Sequence, residues 1–385
     1  MPLKPLIIEK GIIQPSFLKR KHSSFRRIDF IPAGVLTSTG LPVKQSRAVI
    51  MERDIVSPFR INPSKTEIKY IDENAIYFCY MQNHFGHVLT GTMAFAYILL
   101  NKDYVNHKIV FVDKEPCESI MVLLEHLGAI RKNIMVINEY TQFKNVVVVK
   151  PALRIIWLRR FGDRWFKINR ELIDTFQAIA KNVNKVFPSS SPNKKVYFSR
   201  SKFAGRITMY EDKIERVFKK NGYEIFYPEQ LPLDEQIKLV SNADFYACVQ
   251  GTLEHHSLFM KDGATLIVMS RKAAPTERQV LINKLQNTVK HIYLRADIQP
   301  FGDKVTPNII GATKDFIKFF DEYKFIYSAD DLILSDKEIN DYVKQCYFTR
   351  RKPIPVPIIK FFLNIFLKKI LTNHRKSLQK QIKPR

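Results

Sequence analysis

The sequence predicts an α/β protein made of two Rossmann-like domains. Three observations predict it. Short apolar runs of strand length alternate with helix-period segments over residues 71–188, and the same alternation recurs, more regularly, over residues 193–300. Between the two lies Ser189-Ser190-Ser191-Pro192-Asn193, a run of turn-forming residues with no apolar period, which reads as a linker. The chain has 385 residues, enough for two domains that each bury a core.

The elements follow in order. Residues 1–70 have scattered prolines and a basic cluster, Lys19-Arg20-Lys21 with Arg26-Arg27, and are expected to be an irregular N-terminal region. Ala75–Tyr80 reads as a strand and His87–Leu100 as an apolar helix. Lys108–Asp113 reads as a strand, and Pro116–Leu127 as a helix with Pro at its start and Gly128 beyond its end. Asn133–Ile137 and Asn145–Val149 are expected strands, and a helix near Trp165–Val183 closes the first domain. In the second domain the expected strands are Val196–Ser199, Tyr223–Tyr227, Phe245–Val249, Thr265–Met269 and His291–Leu294. Ile214, Val217 and Phe218 share one helix face that Gly222 ends, and Thr276 with Gln279 makes a capping box. Residues 301–350 are a looser helical return, and 351–385 a basic amphipathic tail. Two open sheets of this kind place a ligand cleft outside the carboxyl ends of their strands.

Charge narrows the partners. Lys plus Arg number 62 against 37 Asp plus Glu, a net +25, which asks for an anionic partner: nucleic acid, a membrane surface or a phosphorylated molecule. No zinc-finger or RNA-binding aromatic motif is present, so nucleic acid is not expected. Residues 350–385 hold 11 Lys plus Arg and no acid. Within them Pro357–Leu371 is mostly apolar with a narrow stripe of Lys360, Asn364 and Lys368. As a helix it spans roughly 22 Å, too short for a bilayer, which predicts that 353–385 lies on an anionic membrane surface. Residues 1–30 lack the apolar run of a signal peptide, and Cys79, Cys117, Cys248 and Cys346 are dispersed without a CxxC. A cytoplasmic protein with free thiols, peripheral on the inner membrane face, is expected.

The candidate site lies in the second domain. A strand ends in Ser199-Arg200, a loop adds Arg206, and the tight turn Gly251-Thr252-Leu253 opens a short helix. Backbone N–H groups at such a turn, with two arginines in reach, suit a phosphate. The ordinary alternative is a plain βα turn beside surface charge. His255 or His256 could touch a nucleotide, and Glu277 or Gln279 could take ribose hydroxyls or simply cap a helix. There is no Asp-x-Asp and no histidine or cysteine cluster, so neither a metal nor another cofactor is expected.

Residues 75–295 resemble the family 61 glycosyltransferases. The likeness rests on Ser199-Arg200, Arg206, Glu211, Gly222-Tyr223-Glu224, Gln236 through Ser241-Asn242-Ala243, Gly251-Thr252-Leu253 through Phe259-Met260, and Gln279, Ile282 and Asn283. In the first half Gly86-His87-Val88-Leu89 matches the segment that opens a helix there. Gly91 stands where the family often has an acid, and Glu254-His255-His256 where many members have a neutral residue or Asn. The resemblance implies a GT-B architecture and inverting transfer from a nucleotide sugar to a glycan or lipid-linked glycan in surface (capsular) polysaccharide synthesis. It also implies a base for the acceptor hydroxyl: His87 is the first candidate and Glu254 the competitor. The alternative is a non-catalytic protein that holds an anionic polymer or nucleic acid on the same scaffold.

Overall fold

The computed structural model describes residues 3–18, 30–31, 33–46, 48–50, 54–56, 58–78, 84–158, 163–187, 195–203, 208–271, 275–298, 305–306, 308–348 and 356–382. The chain divides into two compact units, Met1–Pro188 and Ser189–Arg385. The expected linker and the basic cluster around Lys19–Arg27 lie outside the described residues.

The first unit is built on β1 (Leu6–Glu9), β2 (Ile12–Gln14), β3 (Gly34–Leu36), β4 (Lys69–Tyr77), β5 (Lys108–Val112), β6 (Ile134–Ile137) and β7 (Thr141–Val148). Strands β6, β5, β4 and β7 lie side by side and parallel, so the first of them in the chain is central and the strand order reverses beside it. Ile109, Val110 and Phe111 in β5 are fully buried, the continuous apolar run that a parallel strand covered on both faces requires. After β4 comes α1 (Phe85–Thr90), which passes through Gly91 into a 3-10 stretch, Thr92–Leu100. Helix α2 (Glu118–Glu125) links β5 to β6.

Two expectations for this unit are corrected. The N-terminal region is not wholly irregular: β1 and β2 pair antiparallel with β7, and β3 with β2. Ile12, Ile13 and Gln14 are completely buried there, so tertiary pairing orders a segment too short to show a period of its own. The helix expected from Trp165 begins later. Strands β8 (Leu153–Leu158) and β9 (Asp163–Ile168) form an antiparallel pair, rich in aromatic and branched residues, and α3 (Glu171–Val186) follows.

The second unit holds β10 (Lys195–Phe198), α4 (Glu211–Lys220), β11 (Glu224–Phe226), α5 (Leu233–Asn242), β12 (Phe245–Val249), β13 (Thr265–Ser270), α6 (Glu277–Leu285) and β14 (Lys290–Arg295). All five strands are parallel in the order β11-β10-β12-β13-β14. One face packs on α4 and α7 (Lys314–Glu322), where Phe218, Phe316, Phe319, Phe320 and Phe325 interlock with Tyr197 and Tyr223. Then come α8 (Ala329–Leu332), α9 (Asp336–Gln345) and α10 (Val356–Gln381).

Helix α10 changes the reading of the tail. Leu367, Leu371 and Leu378 are buried, the first two against Ile298, Leu334, Ile339 and Tyr342 and the third in the aromatic core. His374 donates from Nε2 to the Ala312 carbonyl over 2.9 Å, and Arg375 pairs with Asp336 at 2.8 Å. The stripe at i, i+4 and i+11 therefore belongs to the core of the unit over this stretch, and the tail is not a removable appendage. Among the described residues no helix is long and apolar enough to cross a membrane. Cys248 and Cys346 are buried free thiols and Cys117 a half-buried one.

Candidate active site

The strand order of the second sheet reverses between β10 and β12. The connections that follow β10 and β12 run to opposite sides of the sheet, and open α/β sheets bind ligands in the crevice this creates. Beyond β10 stands Ser199-Arg200-Ser201, and beyond β12 Gln250-Gly251. Gly251 has φ +136°, a conformation that L side chains rarely adopt. A Cβ at Gly251 would also come within 2.9 Å of Arg271 Nη2 and 3.7 Å of Arg200 Nη1. Two guanidinium groups, one from the end of β10 and one from the end of β13, therefore flank a position that must stay bare. The Arg271 N–H donates to Gln250 Oε1 over 3.0 Å, tying the two strand ends together. The Arg200 guanidinium lies 4.7 Å from the centre of the Phe203 ring. Fixed planar forks of this kind take phosphate oxygens pairwise.

Sequence reasoning missed Arg271. Its signal was present: it directly follows a buried strand, as Arg200 follows Ser199. Arg206 lies outside the described residues.

The Gly251 turn opens a 3-10 helix, Thr252–Phe259, and its residues divide sharply. Gly251 and Thr252 are half-buried at the surface, whereas every residue from Leu253 to Phe259 is buried. The Leu253 carbonyl accepts from Tyr246 Oη over 2.9 Å. Glu254 is closed off from solvent and turned to the sheet: burial first, then the Glu254 charge, pushes the Cys248 thiol well up. His255 Nδ1 lies 2.7 Å from Gln279 Oε1. His256 Nε2 lies 3.0 Å from Gln236 Oε1, whose amide already donates to the carbonyls of Pro228 and Leu231. The carboxamide oxygen thus faces the ring, so His256 Nε2 is the donor. Burial, with the neighbouring His255 adding to it, pushes His256 down to about 4 and keeps it neutral. These side chains hold the helix on the sheet.

The same holds for Gln279. Thr276 Oγ1 accepts its backbone N–H, but the reciprocal half of the expected capping box is absent. Instead Gln279 Nε2 donates to Ser257 and Asn283, and Asn283 donates to Tyr293 Oη over 2.9 Å. The amide expected to meet a ribose is committed inside the fold. Glu277 is exposed at the first turn of α6, beyond the same end of the sheet.

In the first unit His87 lies in the first turn of α1, beyond the central parallel strand β4. It is half-buried, and its ring stands edge-on to that of exposed His84, with centroids 5.3 Å apart. His84, also missed, showed itself as a histidine three residues before the first. Gly91 has a steric cause: a Cβ there would meet the His87 carbonyl oxygen at 2.6 Å, so the acid common at this position has no room without a backbone shift. Among the described residues no group of three or more His, Cys, Asp or Glu is placed to hold a metal ion.

Comparison with known proteins agrees with the resemblance. No curated protein matches significantly. A solved structure, the dodecameric iron-containing heptosyltransferase TibC in complex with ADP-D-beta-D-heptose, is 10% identical. Its alignment covers 96% of this chain and 92% of that one with a TM-score of 0.27, too low to carry an argument. The sequence model of Glycosyltransferase 61 matches residues 54–268, from before β4 into β13. That is more than half of the 385 residues, and the chain therefore belongs to glycosyltransferase family 61.

Proposed function

We propose that the protein is an inverting, metal-independent glycosyltransferase that moves a sugar from a nucleotide-sugar donor to a glycan or lipid-linked glycan during surface polysaccharide synthesis. The observation that carries it is the placement of Arg200 and Arg271 about Gly251 at the strand-order reversal. As the acceptor oxygen bonds to the anomeric carbon, the bond from that carbon to the diphosphate breaks, and negative charge grows on the leaving oxygen. Two fixed guanidinium groups stabilise that charge without reorganising. His87 receives the proton of the acceptor hydroxyl, a task suited to an imidazole near neutral pH. Glu277, exposed beyond the donor end of the sheet, is the remaining candidate for the ribose.

The test is a panel of UDP-, GDP- and CMP-sugars assayed for transfer, with and without EDTA, and calorimetric titration of Arg200→Ala and Arg271→Ala. One donor is expected to turn over, to survive chelation, and to bind 10- to 100-fold more weakly to each variant. Unchanged affinity in both variants would remove the arginines from the site. Binding of a polyanion without transfer from any donor would favour the second reading, a non-catalytic holder of an anionic polymer, toward which Gly91 and the +25 charge point.

The outer face of α10 supports a place for this chemistry. Ile365 and Phe366 are half-exposed, beside exposed Lys368, Lys369, Lys376 and Lys380. Apolar side chains with lysines around them suit an anionic lipid surface. Full-length protein should co-sediment with phosphatidylglycerol vesicles and not with phosphatidylcholine vesicles, and Ile365→Ser with Phe366→Ser should weaken this. Equal sedimentation with both lipids would refute the membrane reading.

A further inference from the structure

Beneath the arginine site lie two buried carboxylates that the reaction does not use. Glu211 opens α4 and Glu215 follows one turn later; their relative exposures are 0% and 8%. Glu211 Oε1 accepts the backbone N–H of Arg200 over 3.0 Å and Tyr197 Oη over 3.3 Å. Its Oε2 is buried and has no hydrogen-bond partner among the described residues. Glu215 accepts the Ser199 hydroxyl on Oε1 and Tyr227 Oη over 3.2 Å on Oε2. The Ser201 N–H in turn donates to Ser199 Oγ over 2.9 Å. All three residues of the turn that carries Arg200 are thus fastened to this pair.

We propose that Glu211 and Glu215 position the Arg200 turn and that Glu211 takes up a proton when an anion binds at Arg200 and Arg271. The inference rests on the phosphate site proposed above. Two carboxylates one helical turn apart in a dry interior resist being ionised together. Burial pushes Glu211 up to about 7; the charge of Glu215 adds to this, while the N–H and the charge of Arg200 oppose it. Among the described residues the other titratable groups on the strands facing the pair are Tyr197 on β10, Tyr227 after β11 and Cys248 on β12, all pushed up by burial first and so neutral near pH 7. Among the described residues Arg200 is the cation whose charge acts on Glu211, and Lys202 stands 3.8 Å over the Tyr227 ring beside Glu215. An anion bound to the Arg200 guanidinium brings new negative charge toward Glu211, whose free Oε2 can hold a proton. Protonation leaves Oε1 still accepting from the turn and removes one repelling charge beneath the ligand.

The experiment is titration calorimetry at pH 7 in PIPES and in imidazole, buffers of unlike ionisation enthalpy, with UDP-glucose and with sulfate as probes, since neither titrates near pH 7. The wild type is expected to take up a fraction of a proton per anion bound. Its affinity should fall about tenfold from pH 6 to pH 9, the change given by a tenfold rise in the proton affinity of one carboxyl. Glu211→Gln should bind with no proton uptake and a flat pH profile, and Glu211→Asp should restore both. Where Glu211→Gln does not fold, Glu215→Gln serves: without the like charge, uptake should move below pH 7. If binding depends on Arg200 and Arg271 but the proton balance is the same in wild type and variants, this inference fails and the phosphate site stands. If neither probe binds, or the arginine variants bind unchanged, the site itself fails and this inference with it.

Discussion

The carboxyl ends of the two sheets present opposite kinds of side chain. In the second unit the backbone that carries the charges is tied down: Arg200 hangs on a turn tied to two buried carboxylates, and Arg271 on a strand end tied to Gln250. In the first unit the corresponding place holds two imidazoles, exposed His84 at the N-cap and half-buried His87 in the first turn of a six-residue helix. Holding a polyanion needs charges that do not move when it arrives. Passing on a proton needs a group that can exchange it, and a partly exposed imidazole does that better than a buried one. The buried imidazole of His256 shows the contrast, since its surroundings keep it neutral.

The comparison breaks most visibly at His87. His87→Ala should lower turnover by about 10²–10⁴ while leaving donor affinity nearly unchanged, because a base acts in the transition state. Single-turnover rates and nucleotide titrations on the same preparation test this. If Glu254→Gln shows that split and His87→Ala does not, proton transfer belongs to the second unit and the division between the two ends disappears.

A structural effect of somewhat smaller size comes from α10. Leu371→Ala should destabilise the second unit by about 2–5 kcal/mol, the range for truncating a buried leucine. Denaturant midpoints check it; a cost near zero would return the helix to the status of an appendage. The smallest expected effect separates buried from working histidines. An unfolded histidine titrates near 6.5, so as pH falls the unfolded chain binds a proton before folded His256 does. Its contribution is present above pH 6.5 and is lost as pH falls toward 4, by about 3 kcal/mol in all. The stability difference between wild type and His256→Gln should shrink over that window, and a difference independent of pH would show that His256 is not held neutral.

The second unit was the more legible of the two in the sequence. Its three inner strands, β10, β12 and β13, are buried on both faces and read as apolar runs, and the observed bounds of all five strands differ from the expected ones by a residue or so. The first unit was less legible because part of its order is borrowed. Segments β1 to β3 are ordered by pairing across the chain, and β8–β9 by pairing with each other. For the site, the turn at Gly251 and the arginine at 200 were visible as residue types at strand ends. The fates of Gln279, His255 and His256 were not, because whether a polar side chain faces a ligand or a neighbour depends on what lies beneath it. Arg271 was hidden in plain view by a chain so rich in cations that one more arginine carried no weight.

The docking of α10 has a consequence for how the protein is made. Tyr197 and Leu378 share one core, although the whole of the second unit separates them along the chain. During synthesis β10 to β14 and the phenylalanines around Phe218 are complete long before Leu378 joins them. Through that interval the part of this core that Leu378 and Ile382 cover is open, and closing it requires a contact between distant parts of the chain, which is slow. The nascent second unit is therefore the part of this protein expected to lean on chaperones.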